Sequence, residues 1–484
     1  MTDQRNSIYE KLRQLGDSDF YPYHMPGHKR QQVGCFPEQI LKLDITEIDD
    51  FDNLHQPEGI IKEAQERANA LYGADQTYYM VNGSSGGILS AISAALPQGG
   101  HLLMDRGCHK SVYHGVYLRD LQVSYLCPPR VEGFEFSEAV TPRLVEDALI
   151  KEPDIQAVLI VSPTYEGRIA DVKSIAAIVH RRGIPLIVDE AHGAHLGFHE
   201  QFAESSSRAG ADLVIHSTHK TLPAMTQTAM LHLNGHLVDA RRLERFLHIY
   251  QTSSPSYVLM ASMEAAMTLL EKERAVLFSD FYNRYHDLFQ KLAVCRRLRF
   301  VSWSDVKQKR QDVGKLVIDA GNSGVSGRWL YQKLREKYHL QCEMVAGSYC
   351  LAMFTLADPQ EAYDRMAEAL LQIDRELCAL LEGGMVTSFD EKGKFRTLQP
   401  ELPKVRLRYT QAWDLPFTAK KLQDAEGCTV AEFINLYPPG VPILVPGEVM
   451  DENAIDKLLI LLDQKYEVQG IFFKENVPYL NIVE

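Results

Sequence analysis

The stretch Ala211-Asp-Leu-Val-Ile-His-Ser-Thr-His-Lys220 sets the fold class of this chain. The apolar run Asp212-Leu-Val-Ile215 reads as a buried strand, and Lys220 follows where that strand should be ending. A charge in such a place is costly unless a partner meets it or the amine is neutral. Upstream, Gln156-Ala-Val-Leu-Ile-Val-Ser162 reads as another buried strand. Val172-Lys-Ser-Ile-Ala-Ala-Ile-Val-His-Arg-Arg182 reads as a helix closed by Gly183, and Pro185-Leu-Ile-Val-Asp189 as the next strand. Between about Pro57 and Met230 short apolar runs thus alternate with stretches of helical length. That alternation predicts an α/β domain, a mostly parallel sheet covered by helices, with ligands beyond the carboxyl ends of its strands.

After Met260 a helical stretch from Glu264 to Cys295 leads into a mixed segment. There Val313–Asp319 and Tyr349–Phe354 read as strands flanking the amphipathic Gly327–Lys337, as in a smaller α+β domain. The polar stretch Thr387–Arg396 reads as a linker or exposed hairpin. The expected division is an N-terminal segment (1–55), a large ligand-binding domain (56–295), a small α+β domain (296–385) and a C-terminal domain (386–484).

The composition excludes several classes of protein. With 51 Lys and Arg against 64 Asp and Glu, the formal charge of -13 argues against a nucleic-acid or anionic-membrane partner and suits a cationic ligand. No run of about 18 apolar residues and no signal-like start are present, so a cytoplasmic protein is expected. The 8 cysteines are scattered without a CxxC pair, which points to reduced thiols and not to a disulfide framework or thiolate zinc site.

Three features converge on the carboxyl ends of the expected strands. Val81-Asn-Gly-Ser-Ser-Gly-Gly-Ile88 is a Gly/Ser turn opening a helix, whose free N–H groups and hydroxyls suit a phosphate, although such turns also simply cap helices. Asp189 is an acid at a strand end that needs a donor or cation, with capping or an ion pair as the plainer alternatives. Lys220 is an amine that becomes a nucleophile toward an aldehyde when water is scarce. A phosphate holder, an acid and an amine in this order are what pyridoxal phosphate requires.

The segments Tyr23-His-Met-Pro-Gly-His-Lys29, Val81-Asn-Gly-Ser-Ser-Gly86, Asp105-Arg-Gly-Cys-His-Lys-Ser111, Ser162-Pro-Thr-Tyr165, Val188-Asp-Glu-Ala-His192, Ser217-Thr-His-Lys220 and Tyr437-Pro-Pro-Gly-Val-Pro-Ile-Leu-Val-Pro-Gly-Glu448 resemble the ornithine/lysine/arginine decarboxylase family. The resemblance implies the aspartate-aminotransferase fold, with a mostly parallel seven-stranded sheet in the large domain and smaller α+β domains after it. It implies that Lys220 is the Schiff-base lysine, that Asp189 partners the pyridine nitrogen and that His109 stacks over the ring. Ser84, Ser85, Gly86, Ser217 and His219 are then expected at the phosphate, with His192 three positions after Asp189 lining the cofactor site. Family members work as dimers with active sites at the interface, so Ser254, within Gln251-Thr-Ser-Ser-Pro255, is expected to reach the neighbour's phosphate, in a homodimer or a higher oligomer. Glu448 is the candidate for contacting substrate. The larger enzymes of the family carry an N-terminal wing domain, whereas here the HMPGHK motif begins at His24, so wing-built decamers are not expected. Those enzymes also have an aromatic residue where this chain has His192, and their substrate preference does not transfer.

The activity so implied is decarboxylation of arginine, lysine or ornithine to agmatine, cadaverine or putrescine. The distal cation of such a substrate calls for carboxylates, and Glu448 and the acidic run Asp44–Asp52 are candidates, the latter with a plain solvated face as its alternative. An aminotransferase, aldolase or decarboxylation-dependent oxidase would keep the same cofactor and fold. From another class, His192, His195 and His199 lie near Asp189, and the last two have the i, i+4 spacing of zinc-binding imidazoles, but Gly193 and Gly197 interrupt any helix there.

Overall fold

In the computed structural model, residues 7–32, 37–321, 323–382, 402–436 and 441–484 are described. The proposed linker at 387–396 and Tyr437–Gly440 of the last motif lie outside them. Seven strands form the central sheet: β1 (Gln76–Met80), β2 (His101–Asp105), β3 (Gln122–Leu126), β4 (Ala157–Val161), β5 (Leu186–Asp189), β6 (Leu213–His216) and β7 (Ala229–Leu233). Their order is β1-β7-β6-β5-β4-β2-β3. Only β7 runs antiparallel to its neighbours, so the sheet is mostly parallel, as the alternating pattern predicts.

Both faces are covered, and the period of two sorts the side chains between them. Ile187, Leu213 and Ile215 pack with Ile88, Ala91 and Ile92 of the helix Gly83–Ala95. Val188, Val214 and Leu186 pack instead with Ile175 and Val179 of the helix Val172–His180. Asp171 caps that second helix by accepting the Ser174 N–H at 3.1 Å, and Gly183 follows its end at φ +68°. Gly87 lets the first helix press on β6, since a Cβ there would stand 3.1 Å from Ile215 Cγ2. That close approach sets the N-terminus of the helix beside the carboxyl end of β6.

A 36-residue helix, Tyr257–Leu292, leads to a second, four-stranded antiparallel sheet. Its strands are β8 (Arg299–Phe300), β9 (Lys315–Asp319), β10 (Met344–Ala346) and β11 (Tyr349–Met353), in the order β10-β11-β9-β8. The helices Gly327–Tyr338 and Gln360–Glu382 accompany it. The last segment forms two three-stranded antiparallel sheets between Phe417 and Val483 around the helix Glu452–Asp463.

Candidate active site

The parallel strands β4, β5 and β6 end side by side, Val161 opposite Asp189 and Asp189 opposite Ile215. Beyond β6 the chain turns once, in the short helix Thr218–Thr221, and this turn carries Lys220. Burial lowers the pKa of the Lys220 amine, against the opposing pull of Asp189 and Glu343. Asp189 is itself 4% exposed, and its Oδ1 accepts the Ala191 N–H at 3.1 Å. Burial raises its pKa and the charge of Lys220 lowers it, so the acid and the amine stabilise each other's charged forms.

The first turn of the helix Gly83–Ala95 lies next to this pair. Gly83 enters it at φ +70°, so the helix begins before the apolar stretch that announced it, and Ser84, Ser85 and Gly86 all belong to its first turn. Ser217 donates its hydroxyl proton to Ser84 Oγ at 2.8 Å, which ties the helix N-terminus to the lysine turn. His219 Nδ1 lies 2.8 Å from the Thr228 carbonyl, so the ring proton is on Nδ1. His109 caps the helix Lys110–Leu118, with Nδ1 accepting the Ser111 N–H at 3.2 Å. Burial, then the charge of Lys220, pushes His109 down to about 4. Asp105, at the end of β2, is pushed up to about 6 by burial.

His192 sits at the centre. Its Nε2 is 3.0 Å from Lys220 Nζ and its Nδ1 is 2.7 Å from Lys315 Nζ. The ring stands edge-on to Tyr165 at 4.7 Å, and the Tyr165 hydroxyl donates to Glu343 at the exposed mouth of the site.

A family model for the major domain of Orn/Lys/Arg decarboxylases matches residues 7–350, and one for the C-terminal domain of the same family matches 401–471. The chain belongs to the Orn/Lys/Arg decarboxylase family. It is an enzyme, a decarboxylase of a basic amino acid. Along 97% of its length it is 31% identical to the arginine decarboxylase of Bacillus subtilis, covering 96% of that protein. Lysine decarboxylase A from Pseudomonas aeruginosa has the same fold, with a TM-score of 0.84 at 20% identity over 99% of this chain and 80% of that one. A more distant likeness in fold is to an SPT solved with PLP, at a TM-score of 0.50 and 15% identity over 66% of this chain and 77% of that one.

Two further residues singled out from the sequence have partners of their own in the structure. The Glu448 carboxylate is 1% exposed, accepts the Val445 N–H at 2.8 Å and pairs with Arg106 Nη2 at 3.1 Å. Arg106 also donates to the Tyr113 hydroxyl at 2.8 Å and to the Pro442 carbonyl at 3.0 Å, so this pair clasps the C-terminal segment to the end of β2. Ser254 is exposed, in a segment whose Gln251 accepts the Val81 N–H at 2.9 Å and whose Thr252 N–H donates to Asn82 at 3.4 Å. The Ser254 N–H itself donates to Thr252 Oγ1 at 3.3 Å.

The acidic run is put to local use. Asp52 accepts N–H groups from Glu58, Gly59 and Ile61 at 2.8 to 2.9 Å, capping the helix Ile60–Tyr72, and Asp44 meets His28 at 3.2 Å. The three histidines diverge. His192 meets two lysines, His195 pairs with Asp312 at 2.7 Å, and His199 accepts the Gln201 N–H at Nδ1 and so donates from Nε2 to Ser279 Oγ at 3.3 Å. Among the described residues no three His, Cys, Asp or Glu side chains are grouped to hold a metal ion. Sequence reasoning missed Lys315, Tyr165 and Glu343. The first had a signal, because a lysine inside the buried run Val313–Asp319 raises the same question as Lys220.

Proposed function

We infer that this enzyme uses pyridoxal phosphate, held at Lys220, to convert a basic amino acid to its amine and CO2, with arginine the first substrate to test. The observation that carries this reading is the convergence, at the ends of β5 and β6, of a half-buried amine, a buried acid and a helix N-terminus tied to the lysine turn by Ser217 and Ser84. The donor set fits the cofactor. Ser84, Ser85, the Gly86 N–H, Ser217 and His219 suit its phosphate, Asp189 its ring nitrogen, His109 and His192 its ring, and Lys220 its aldehyde carbon. When bound, pyridoxal phosphate supplies an electron sink for the pair left at Cα as CO2 departs.

The chain's own residues supply the rest. Asp189, kept from water, holds a proton on its partner nitrogen. Lys220, its charged form disfavoured by burial, is available as a neutral amine. Glu343 places a carboxylate at the mouth, and with the formal charge of -13 it favours entry of a cationic substrate. The arginine preference rests on the near full-length likeness to an arginine decarboxylase. We assign Glu448 to the substrate side only through the clasp it forms with Arg106, and Ser254 to the neighbour's site in a homodimer. A cytoplasmic enzyme fits the absence, among the described residues, of any helix long and apolar enough to cross a membrane. The fourfold division at 55/56, 295/296 and 385/386 is kept with this reading.

The test is to purify the protein with pyridoxal phosphate, record visible absorbance, and assay CO2 and amine from arginine, lysine and ornithine side by side. Lys220-dependent absorbance with agmatine as the main product is expected. Absorbance without CO2 from any of the three, or activity that needs a keto acid or oxygen, would overturn it.

A further inference from the structure

Every residue of β9 is buried, including Lys315. Its Nζ lies 2.7 Å from His192 Nδ1 and 3.4 Å from Met353 Sδ, over the Tyr165 ring at 5.6 Å. The other nitrogen of the same imidazole, Nε2, is 3.0 Å from Lys220 Nζ. Two amines thus meet one ring, one at each nitrogen.

Proton counting limits what this arrangement can be. A neutral imidazole has one N–H and one lone pair, and an ammonium can only donate. Both contacts hold when one lysine is a neutral amine accepting the ring N–H and the other, as an ammonium or an amine, donates to the bare nitrogen, so the two lysines are not both ammonium. An imidazolium would require both amines to be neutral, but burial, then the charges of Lys315 and Lys220, holds His192 well below its ordinary pKa. The groups facing Lys315 are Asp312 from the turn before β9, Glu166 and Tyr165 from the loop after β4, Glu343 from the segment before β10, and Lys220 through the ring. Burial pushes Lys315 down to about 8.

We propose that Lys220, His192 and Lys315 share one excess proton, so that Lys315 is a positioning residue that sets the protonation state of Lys220 through His192. In the forward transfer a Lys315 N–H bond breaks and its proton bonds to His192 Nδ1. At the same time the His192 Nε2–H bond breaks and that proton bonds to the lone pair of Lys220 Nζ. Lys315 ends as a neutral amine, Lys220 as an ammonium and His192 as the other tautomer, with no change in total charge. Lys220 can then be a nucleophile in one half of a cycle and an acid in the other. This rests on the reading of Lys220 as the nucleophilic lysine.

The test uses cofactor-free full-length protein. Lys220 is partly exposed, so reductive methylation with formaldehyde can be followed at its peptide by mass spectrometry across pH. In the unaltered protein the midpoint of Lys220 labelling should lie below that of an ordinary lysine, as burial of the amine beside His192 requires. An ordinary midpoint overturns the proposal without any variant. Lys315→Met should raise the midpoint by about one unit and slow labelling near neutral pH about tenfold. Lys315→Arg, permanently charged, should keep labelling as fast as in the parent while CO2 release by the loaded enzyme falls at least about tenfold, because arginine cannot become the neutral partner. Equal loss of labelling in both variants, or none in either, overturns it. Loss of visible absorbance on Lys220→Ala is scored separately, so failure of the cofactor reading is distinguishable from failure of proton sharing.

Discussion

Asp189 and Glu190 are consecutive buried acids, yet they serve two polar clusters of opposite kind on the two faces of the sheet. Glu190 belongs to a closed chain. Its Oε2 lies 2.6 Å from His216 Nε2, His216 Nδ1 lies 3.0 Å from His232 Nε2, and His232 Nδ1 lies 2.7 Å from Thr77 Oγ1. Ser206 donates to Glu190 Oε1 through its N–H at 3.1 Å and its hydroxyl at 2.6 Å. Burial pushes Glu190 up to about 8 and His216 down to about 3, so the proton rests on the carboxyl and each N–H along the chain has one acceptor. The Asp189 side has instead two amines, one shared imidazole and a carboxylate whose Oδ1 is met by a backbone N–H. A buried network with matched donors and acceptors holds a fold together, whereas one with surplus donors awaits a ligand.

The comparison breaks if stability and function do not separate between the two sides. The largest effect expected is on function. Lys220→Ala should abolish visible absorbance and cut CO2 release at least about a thousandfold. The melting of the cofactor-free protein should stay within about 0.5 kcal/mol of the parent, because a costly buried amine has been removed. Glu190→Ala should do the reverse. It strands His216 and the Ser206 N–H and hydroxyl in a dry interior, and urea unfolding should show a loss of about 3 kcal/mol. A destabilised Lys220→Ala together with a neutral Glu190→Ala would mean that the closed and open clusters have been assigned the wrong way round.

How much of this was legible in the sequence follows from the same distinction. The strands ending at Asp189 and Ile215 and the lysine turn could be read because apolar period, Gly/Ser turn chemistry and a misplaced charge are all local signals. Lys315 could be suspected but not placed, since it reaches His192 from a second sheet and only tertiary packing brings them together. Glu448 could be singled out but its partner could not, because no local pattern announces Arg106. The i, i+4 spacing of His195 and His199 promised one helix face, but residues 194–197 form turns and the two rings part toward Asp312 and Ser279. Asp52 looked like part of a charged surface because it caps a helix that starts eight residues later, beyond the spacing of an ordinary N-cap.

Asp52 therefore sharpens the comparison at a third place. It is a matched acid, outside the site, which sequence reading had offered to the substrate. Asp52→Ala removes the acceptor for the amides of Glu58, Gly59 and Ile61 and should cost about 1 to 2 kcal/mol in urea unfolding. The turnover of arginine at saturation should be unchanged, and a raised KM for every basic amino acid would return Asp52 to the substrate path.

The smallest effect is a change of slope with pH, and it tests whether the closed chain is neutral. Glu190 has its folded pKa raised from 4.5 to about 8, so it stays protonated in the folded protein where the unfolded chain has already released its proton. Its contribution to stability is full below pH 4.5 and is lost as pH rises toward about 8. His216 acts with the opposite sign, since its lowered pKa gives stability above its ordinary 6.5 that is lost as pH falls toward about 3. Glu190→Gln removes the first effect and leaves the second. Its amide group can still donate to His216 Nε2 and its carbonyl can still accept from Ser206, so the chain stays matched. The stability of Glu190→Gln relative to the parent should therefore rise between pH 4.5 and about 8, read from urea midpoints at several pH values. If the two proteins keep a constant difference across that window, Glu190 is ionised in the fold and the chain is an ion pair with His216, which would remove the neutrality that sets it apart from the lysine side.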